Sequence, residues 1–139
     1  MENIGDRAFN YCRALKSIVV PDQVTTIGSL AFAGCTSLES VSLGESVAQV
    51  QGSLFHECGK LSTLTVAHEN ASMRSEDNVL YNKDMSLLIR YAAGKSDTKF
   101  YVPGSVKTIG ANAITHCSNL AELQIPSSVT KMDDYAVYY

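Results

Sequence analysis

The chain has 139 residues, 45% of them hydrophobic and 18% charged, which suffices for one globular domain and is too apolar for a disordered chain. A formal net charge of −3 leaves no basic surface for nucleic acid or for an anionic membrane. No apolar run approaches the roughly 18 residues needed to cross a bilayer, and the opening Met1-Glu2-Asn3-Ile4-Gly5 lacks the basic and apolar regions of a secretory leader.

The first element, Ile4-Gly5-Asp6-Arg7-Ala8-Phe9, returns as Ile27-Gly28-Ser29-Leu30-Ala31-Phe32 and, weakened, as Val50-Gln51-Gly52-Ser53-Leu54-Phe55. It returns again as Ile109-Gly110-Ala111-Asn112-Ala113-Ile114, and in part as Met132-Asp133-Asp134-Tyr135-Ala136-Val137. The first three copies start 23 residues apart, as do the last two. Apolar residues at intervals of three and four predict a short helical or 3₁₀ turn in each copy. A cysteine follows three residues later (Cys12, Cys35, Cys58, Cys117), then a leucine after three more (Leu15, Leu38, Leu61, Leu120).

Each leucine opens a Leu-x-x-φ-x-φ strand, where φ is aliphatic: Ile18 and Val20, Val41 and Leu43, Leu64 and Val66, Leu123 and Ile125. The alternation is that of a strand with one buried face. Pro21 and Pro126 stand at the strand exit, where no ladder donor is required. One unit of this size buries too little to fold alone, and stacked copies share a core. The expected fold is therefore an α/β-type solenoid, a right-handed coil with one parallel strand per repeat and short helical or 3₁₀ turns opposite.

Between Leu61 and Ile109 the period is interrupted. Phe100-Tyr101-Val102-Pro103 aligns with Ile18-Val19-Val20-Pro21, so the repeat in between carries about 13 extra residues and its turn is replaced. Asn78-Val79-Leu80-Tyr81, the polar Asn82-Lys83-Asp84, and Met85 to Tyr91 read as a β-hairpin inside an insertion over about 71–99. Such an insertion serves equally as a binding element or as a spacer. The whole of 1–139 is thus one solenoid domain with repeats starting near 4, 27, 50, 109 and 132. The array breaks off mid-repeat at Val137-Tyr138-Tyr139 without a polar cap, so a piece of a longer array is expected, with self-association through bare ends.

These residues resemble the BspA-type leucine-rich repeats of bacterial surface proteins and of some protozoan surface families. The string Ile-Gly-x-x-Ala-Phe-x-x-Cys-x-x-Leu-x-x-Ile-x-Ile-Pro-x-x-Val-Thr is closely matched from Ile4 to Thr25, and Asn78 to Asp84 with Gly94-Lys95 is similar to an element that recurs in that family. The third repeat departs from the string, with Ala67 in place of proline and no Val-Thr after it. The resemblance implies a non-enzymatic adhesion or recognition module, on a cell surface or secreted. Its implied partner is a protein, such as a host extracellular-matrix or other surface protein. The alternative is a structural spacer that carries another domain.

The outward strand positions are the candidate contact residues: Ser17, Ser40, Thr63, Tyr101 and Glu122 in one row, Val19, Ser42, Thr65 and Gln124 in the next, with Tyr81 and Tyr91 from the hairpin. Hydroxyls and an aromatic suit contact and supply no acid, base or nucleophile pair. No Gly-x-Ser-x-Gly and no paired catalytic carboxylates occur, so no enzyme is expected.

The cysteines are expected to form a ladder of buried thiols, since equivalent side chains on stacked coils run parallel and do not face each other. His56 and His116 lack the paired spacing of a zinc site and read as exposed loop residues, and no metal or cofactor is expected. Gly94-Lys95-Ser96 lacks the earlier glycine of a phosphate loop, because Ile89 stands there. Asp77, Asn82 and Asp84 lack a calcium loop's terminal glutamate and fit a polar turn. Asn70-Ala71-Ser72 is a glycosylation sequon, of consequence only in a eukaryotic secretory host.

Overall fold

The computed structural model describes residues 2–138; Met1 and the terminal Tyr139 lie outside them. In chain order the strands are β1 (Glu2–Ile4), β2 (Ser17–Val19), β3 (Val24–Ile27), β4 (Ser40–Leu43), β5 (Thr63–Val66), β6 (Met73–Glu76) and β7 (Val79–Asn82). They continue with β8 (Leu87–Tyr91), β9 (Lys99–Tyr101), β10 (Thr108–Ile109), β11 (Ile114–Thr115), β12 (Glu122–Gln124), β13 (Lys131–Met132) and β14 (Val137–Tyr138).

The chain winds as a β-solenoid, and equivalent residues of successive coils sit side by side. On one face β2, β4 and β5 form a parallel sheet with Ser17, Ser40 and Thr63 in register. Further along the same column β9 and β12 pair in parallel, with Phe100 beside Leu123. A second column, where coils begin, pairs β1 with β3, and β10 with both β8 and β13. Every coil but the third therefore contributes more than the one strand that hydrophobic alternation reveals.

The expected helical or 3₁₀ turns are nearly absent: the one helical element among the described residues is a 3₁₀ turn at Gly52–Phe55, in the third copy. The reason lies in the backbone. Arg7, Leu30, Asn112 and Tyr135, three residues after the start of their coils, all have φ of 56°. Tyr11, Gly34, Glu57 and His116, four residues further on, are also left-handed, with φ of 59°, 74°, 60° and 56°. A left-handed residue ends a right-handed helix, so the segment bends through successive tight turns. Alternate N–H groups, those of Arg7, Phe9 and Tyr11, then donate to Ser29, Ala31 and Ala33 of the next coil rather than within a helix. The apolar spacing of three and four is that of stacked turns. The α/β assignment gives way to an essentially all-β coil.

The core is continuous within the first three coils. Phe9, Phe32 and Phe55 stack with ring centroids 5.7 and 6.2 Å apart. Leu38 and Leu61 are fully buried and Leu15 packs against them, whereas Leu120 belongs to a second cluster around Val102, Ile109 and Cys117. The cysteines are free thiols, three buried and Cys12 half-buried. Cys35 and Cys58 donate at 3.1 Å to the carbonyls of Phe9 and Phe32 in the preceding coil, a role that explains a small polar atom at a core position. Burial pushes the Cys58 thiol up to about 12 and that of Cys117 to about 11.

The insertion is a three-stranded antiparallel meander, β6-β7-β8, whose last strand is also a rung of the coil column. The hairpin expected from Asn78 to Tyr91 is present as β7 and β8, with Asn78 in the preceding turn; β6 adds a strand before it. Asp77 and Asn78, with φ of 50° and 62°, form the two-residue turn between β6 and β7, the conformation that matches the twist of paired strands. Gly94 packs so closely on the Lys60–Leu61 backbone that a Cβ would lie 2.4 Å from the Lys60 carbonyl carbon. Lys95, 5% exposed, reaches from there to the Asp77 carboxylate at 3.0 Å, clamping the hairpin tip.

The fourth coil has no Ile-Gly-x-x-Ala-Phe turn, and Arg90 takes its place. Its buried guanidinium donates to the carbonyls of Asn112 and Thr115, at 2.6 and 3.0 Å, and to the Thr115 hydroxyl at 2.6 Å. Thr115 corresponds to Ala33, whose carbonyl is served by the Tyr11 backbone. A side chain thus replaces the donors of a missing turn.

Candidate functional site

The sheet of β2, β4 and β5 turns Ile18, Val41 and Leu64 inward and leaves Ser17, Ser40, Thr63, Val19, Ser42 and Thr65 outward. Register places Ser17, Ser40 and Thr63 in one row and Val19, Ser42 and Thr65 in the next. Rungs of a sheet stand roughly 4.8 Å apart, so each row is a close-set line of short side chains. Val19 is 75% exposed, although valine has every reason to be buried, and it dominates the apolar area of this surface.

The second section of the face is carried by β9 and β12. Here Tyr101 pairs with Gln124, and Lys99 with Glu122. Tyr101 therefore belongs to the row of Val19, not to that of Ser17. The position beside Glu122 is Lys99, whose ammonium lies 3.6 Å from the Glu122 carboxylate. Lys99 was legible from the alignment of Phe100 with Ile18, since the preceding residue then falls beside Ser17. Tyr101 is 54% exposed and is the one aromatic side chain of the face.

The two hairpin tyrosines do not join this surface. Tyr81 and Tyr91 are 2% and 1% exposed, because the extra strand β6 and the fourth coil enclose them. Tyr91 packs on Phe100 with ring centroids 4.8 Å apart, and burial pushes its hydroxyl up to about 12 and that of Tyr81 upward as well. They are core residues and cannot touch a partner.

Asn78 and Ser75 explain why the face is in two sections. The N–H of Leu64 donates to the Asn78 side-chain oxygen at 3.1 Å, and that of Val66 to the Ser75 hydroxyl at 3.2 Å. The outer edge of β5 is thereby capped by side chains, and the ladder resumes only at β9.

The remaining candidates have local roles. Asn82 accepts from the Leu87 N–H at 2.9 Å, and Asp84 accepts from the Ser86 N–H and hydroxyl, which hold its carboxyl below the usual range. Asn70 is 1% exposed, with its amide nitrogen on the Gly44 and Val47 carbonyls, so it is not the exposed loop residue that a sequon implies. His56 and His116 meet edge to face, with centroids 5.5 Å apart, because the coil between them has lost its turn. No group of three His, Cys, Asp or Glu side chains that could hold a metal ion converges among the described residues.

The sequence matches a family described as BspA type leucine rich repeat region, in six copies, over residues 2–86 and 91–139. Among solved structures, the pneumococcal vaccine antigen PcpA is similar at 27% identity and a TM-score of 0.79, covering 98% of this chain and 40% of its own. A leucine rich cell surface protein from Faecalibacterium prausnitzii is similar at 27% identity and a TM-score of 0.68, over 93% of this chain and 40% of its own. A leucine-rich repeat protein from Eubacterium ventriosum shares the fold at 24% identity and a TM-score of 0.72, over 98% of this chain and 48% of its own. The chain thus spans less than half the length of each of these structures. No curated protein matches it.

Proposed function

Because the chain belongs to the BspA-type leucine-rich repeat family, we propose that it is a non-enzymatic recognition module of a cell-surface or secreted protein. It contacts a macromolecular partner through the outward strand face, and the partner is a protein of the extracellular matrix or of another cell surface. The observation that carries this reading is the face itself, a rigid, uncharged row of Val19, Ser42 and Thr65 with Tyr101 and Gln124 beyond it. The backbone beneath is already paired, and Ser, Thr and Val lose little rotamer entropy on contact, so binding orders almost nothing. Exposed Val19 and Tyr101 supply apolar anchors of the kind that dominate interface energies.

The test is binding to immobilised extracellular-matrix proteins by surface plasmon resonance. The wild-type chain is expected to bind at least one of them. Val19→Asp and Tyr101→Ala are each expected to weaken that binding about tenfold, with thermal stability unchanged because both side chains are exposed. Equal binding by both variants, or no binding by the wild type, would overturn the reading.

A further inference from the structure

The column where coils begin is laddered everywhere except in the third coil. In the second, fifth and sixth coils the N–H of Gly28, Gly110 and Asp133 donates to Ile4, Leu88 and Ile109 at 2.7, 2.9 and 3.0 Å. The third-coil counterpart, Gln51, makes no such bond. Ala48 still reaches Thr25 at 3.4 Å, but among the described residues the N–H groups of Gln49, Val50 and Gln51 and the carbonyls of Gln49 and Val50 pair with nothing. A Cβ on Gly28 would lie 2.3 Å from the Asp6 nitrogen, so the second coil stacks there only with glycine. Gln51 stands in that position in the third coil and its segment leaves the ladder, whereas Asp133 of the sixth coil keeps its bond to Ile109.

Beside this unladdered segment, on the side of the meander and the later coils, opens a cavity of about 460 Å³. Val50 and Gln51 line one wall, Gly110 and Asp133 the other, and Met73 and Ile89 form an apolar floor. We propose that this cleft binds an extended basic peptide strand. Unpaired main-chain donors and acceptors at strand spacing are complementary to another backbone, the basis of recognition by strand addition. An apolar side chain of the peptide rests on Met73 and Ile89. Asp133 is the sole ionisable side chain lining the cleft, and its pair with Lys131, 3.6 Å away and 70% exposed, is a weak surface contact that a peptide lysine displaces. This site is on a different column from the outward strand face and stands independently of that reading.

The probe is a fluorescein-labelled Thr-Val-Thr-Val-Lys-Thr peptide, followed by anisotropy, with hydrogen exchange on the complex. Saturable binding and slowed exchange at Gln49–Gln51 are expected. A probe with proline at its third position lacks the central N–H and is expected to bind about tenfold more weakly. Gln51→Gly, which places glycine where Gly28 and Gly110 stand, is expected to protect the 49–51 amides without peptide and to reduce binding by a similar factor. Asp133→Asn, at a half-exposed site that tolerates the change, is expected to weaken the lysine probe about threefold. Val19→Asp is expected to leave peptide capture unchanged. No saturable binding, equal binding of the proline probe, or unchanged exchange at 49–51 in the complex would each overturn the proposal.

Discussion

Replacing Asn70 with alanine removes a side chain that makes four hydrogen bonds from one buried position. Its amide nitrogen donates to Gly44 and Val47 at 3.0 and 2.8 Å, and its oxygen accepts from the Ser72 and Met73 N–H groups at 2.8 and 3.0 Å. It thereby joins the loop after β4 to the start of the meander. Ser72 is exposed, so water replaces its bond at little cost. Gly44, Val47 and Met73 are buried, and each group left without a partner costs about 1–3 kcal/mol. Allowing for partial relaxation, the loss comes to about 3–5 kcal/mol, a large share of the roughly 5–15 kcal/mol of a whole domain. Urea denaturation followed by far-ultraviolet circular dichroism reads the change directly. Asn70→Asp separates the two halves of the network: it keeps both acceptor contacts and turns a carboxylate toward two carbonyls, so it is expected to fall at least as far at neutral pH. A loss below about 1 kcal/mol for Asn70→Ala would refute the reasoning, because it would mean that these groups reach water readily.

Three further outcomes follow from the core. Arg90→Met removes the guanidinium from the Asn112 and Thr115 carbonyls, leaving them only the weaker contacts from the Thr115 hydroxyl and the Cys117 thiol, while relieving a buried charge; the balance is expected to be a loss of about 1–3 kcal/mol, checked by the same denaturation. Gly94→Ala forces a Cβ against the Lys60 backbone and is expected to cost about 1–3 kcal/mol, with faster amide exchange in the meander than in β2 and β4 as the local signature. At high pH the buried thiols oppose ionisation. Cys58 and Cys117 titrate near 12 and 11 when folded and near 9.0 when unfolded, so their contribution is complete below pH 9 and is lost as pH rises through the folded values. Stability by urea titration should therefore fall above pH 9 by on the order of 1 kcal/mol per thiol per pH unit. A Cys58→Ala and Cys117→Ala double variant should lose most of that slope.

The inner row was readable because burial repeats. Leu38, Leu61, Val41 and Leu64 recur at one spacing, and a side chain that must be apolar in every coil leaves that mark in the sequence. The turns were not readable, because most of their left-handed residues, Arg7, Tyr11, Leu30, Glu57 and Tyr135, do not advertise positive φ, and Gly34, Asn112 and His116 do so at only three scattered places. Inter-coil hydrogen bonds, not local preference, hold them there. The fate of Tyr81 and Tyr91 turned on β6, a strand reading Met73-Arg74-Ser75-Glu76 with too few apolar residues to be noticed. Its marker was Asp77-Asn78, a pair suited to a two-residue hairpin turn. Arg90 was hidden for the opposite reason: a lone arginine in an apolar strand suggests an edge facing solvent, and here it faces the carbonyls of a turn whose preceding coil has no turn of its own.

The meander also governs what the outward face can do. If the ladder ran on from β5 to the next coil, the rows of Ser17 and Val19 would form one unbroken surface. Instead Asn78 and Ser75 satisfy the β5 edge, and Lys99 to Tyr101 starts a separate pair of strands. The two sections differ in chemistry: hydroxyls and Val19 on one, the Lys99–Glu122 ion pair and Tyr101 on the other. A partner that touches both meets an uncharged patch and a charged one at a spacing set by the insertion. Because β5, β6 and β7 pack together and Lys95 and Gly94 fasten the meander to the coil, that spacing is rigid. Specificity in such an arrangement rests on the length of the interruption as much as on any one side chain, since binding both patches at once fails when the span between them is wrong.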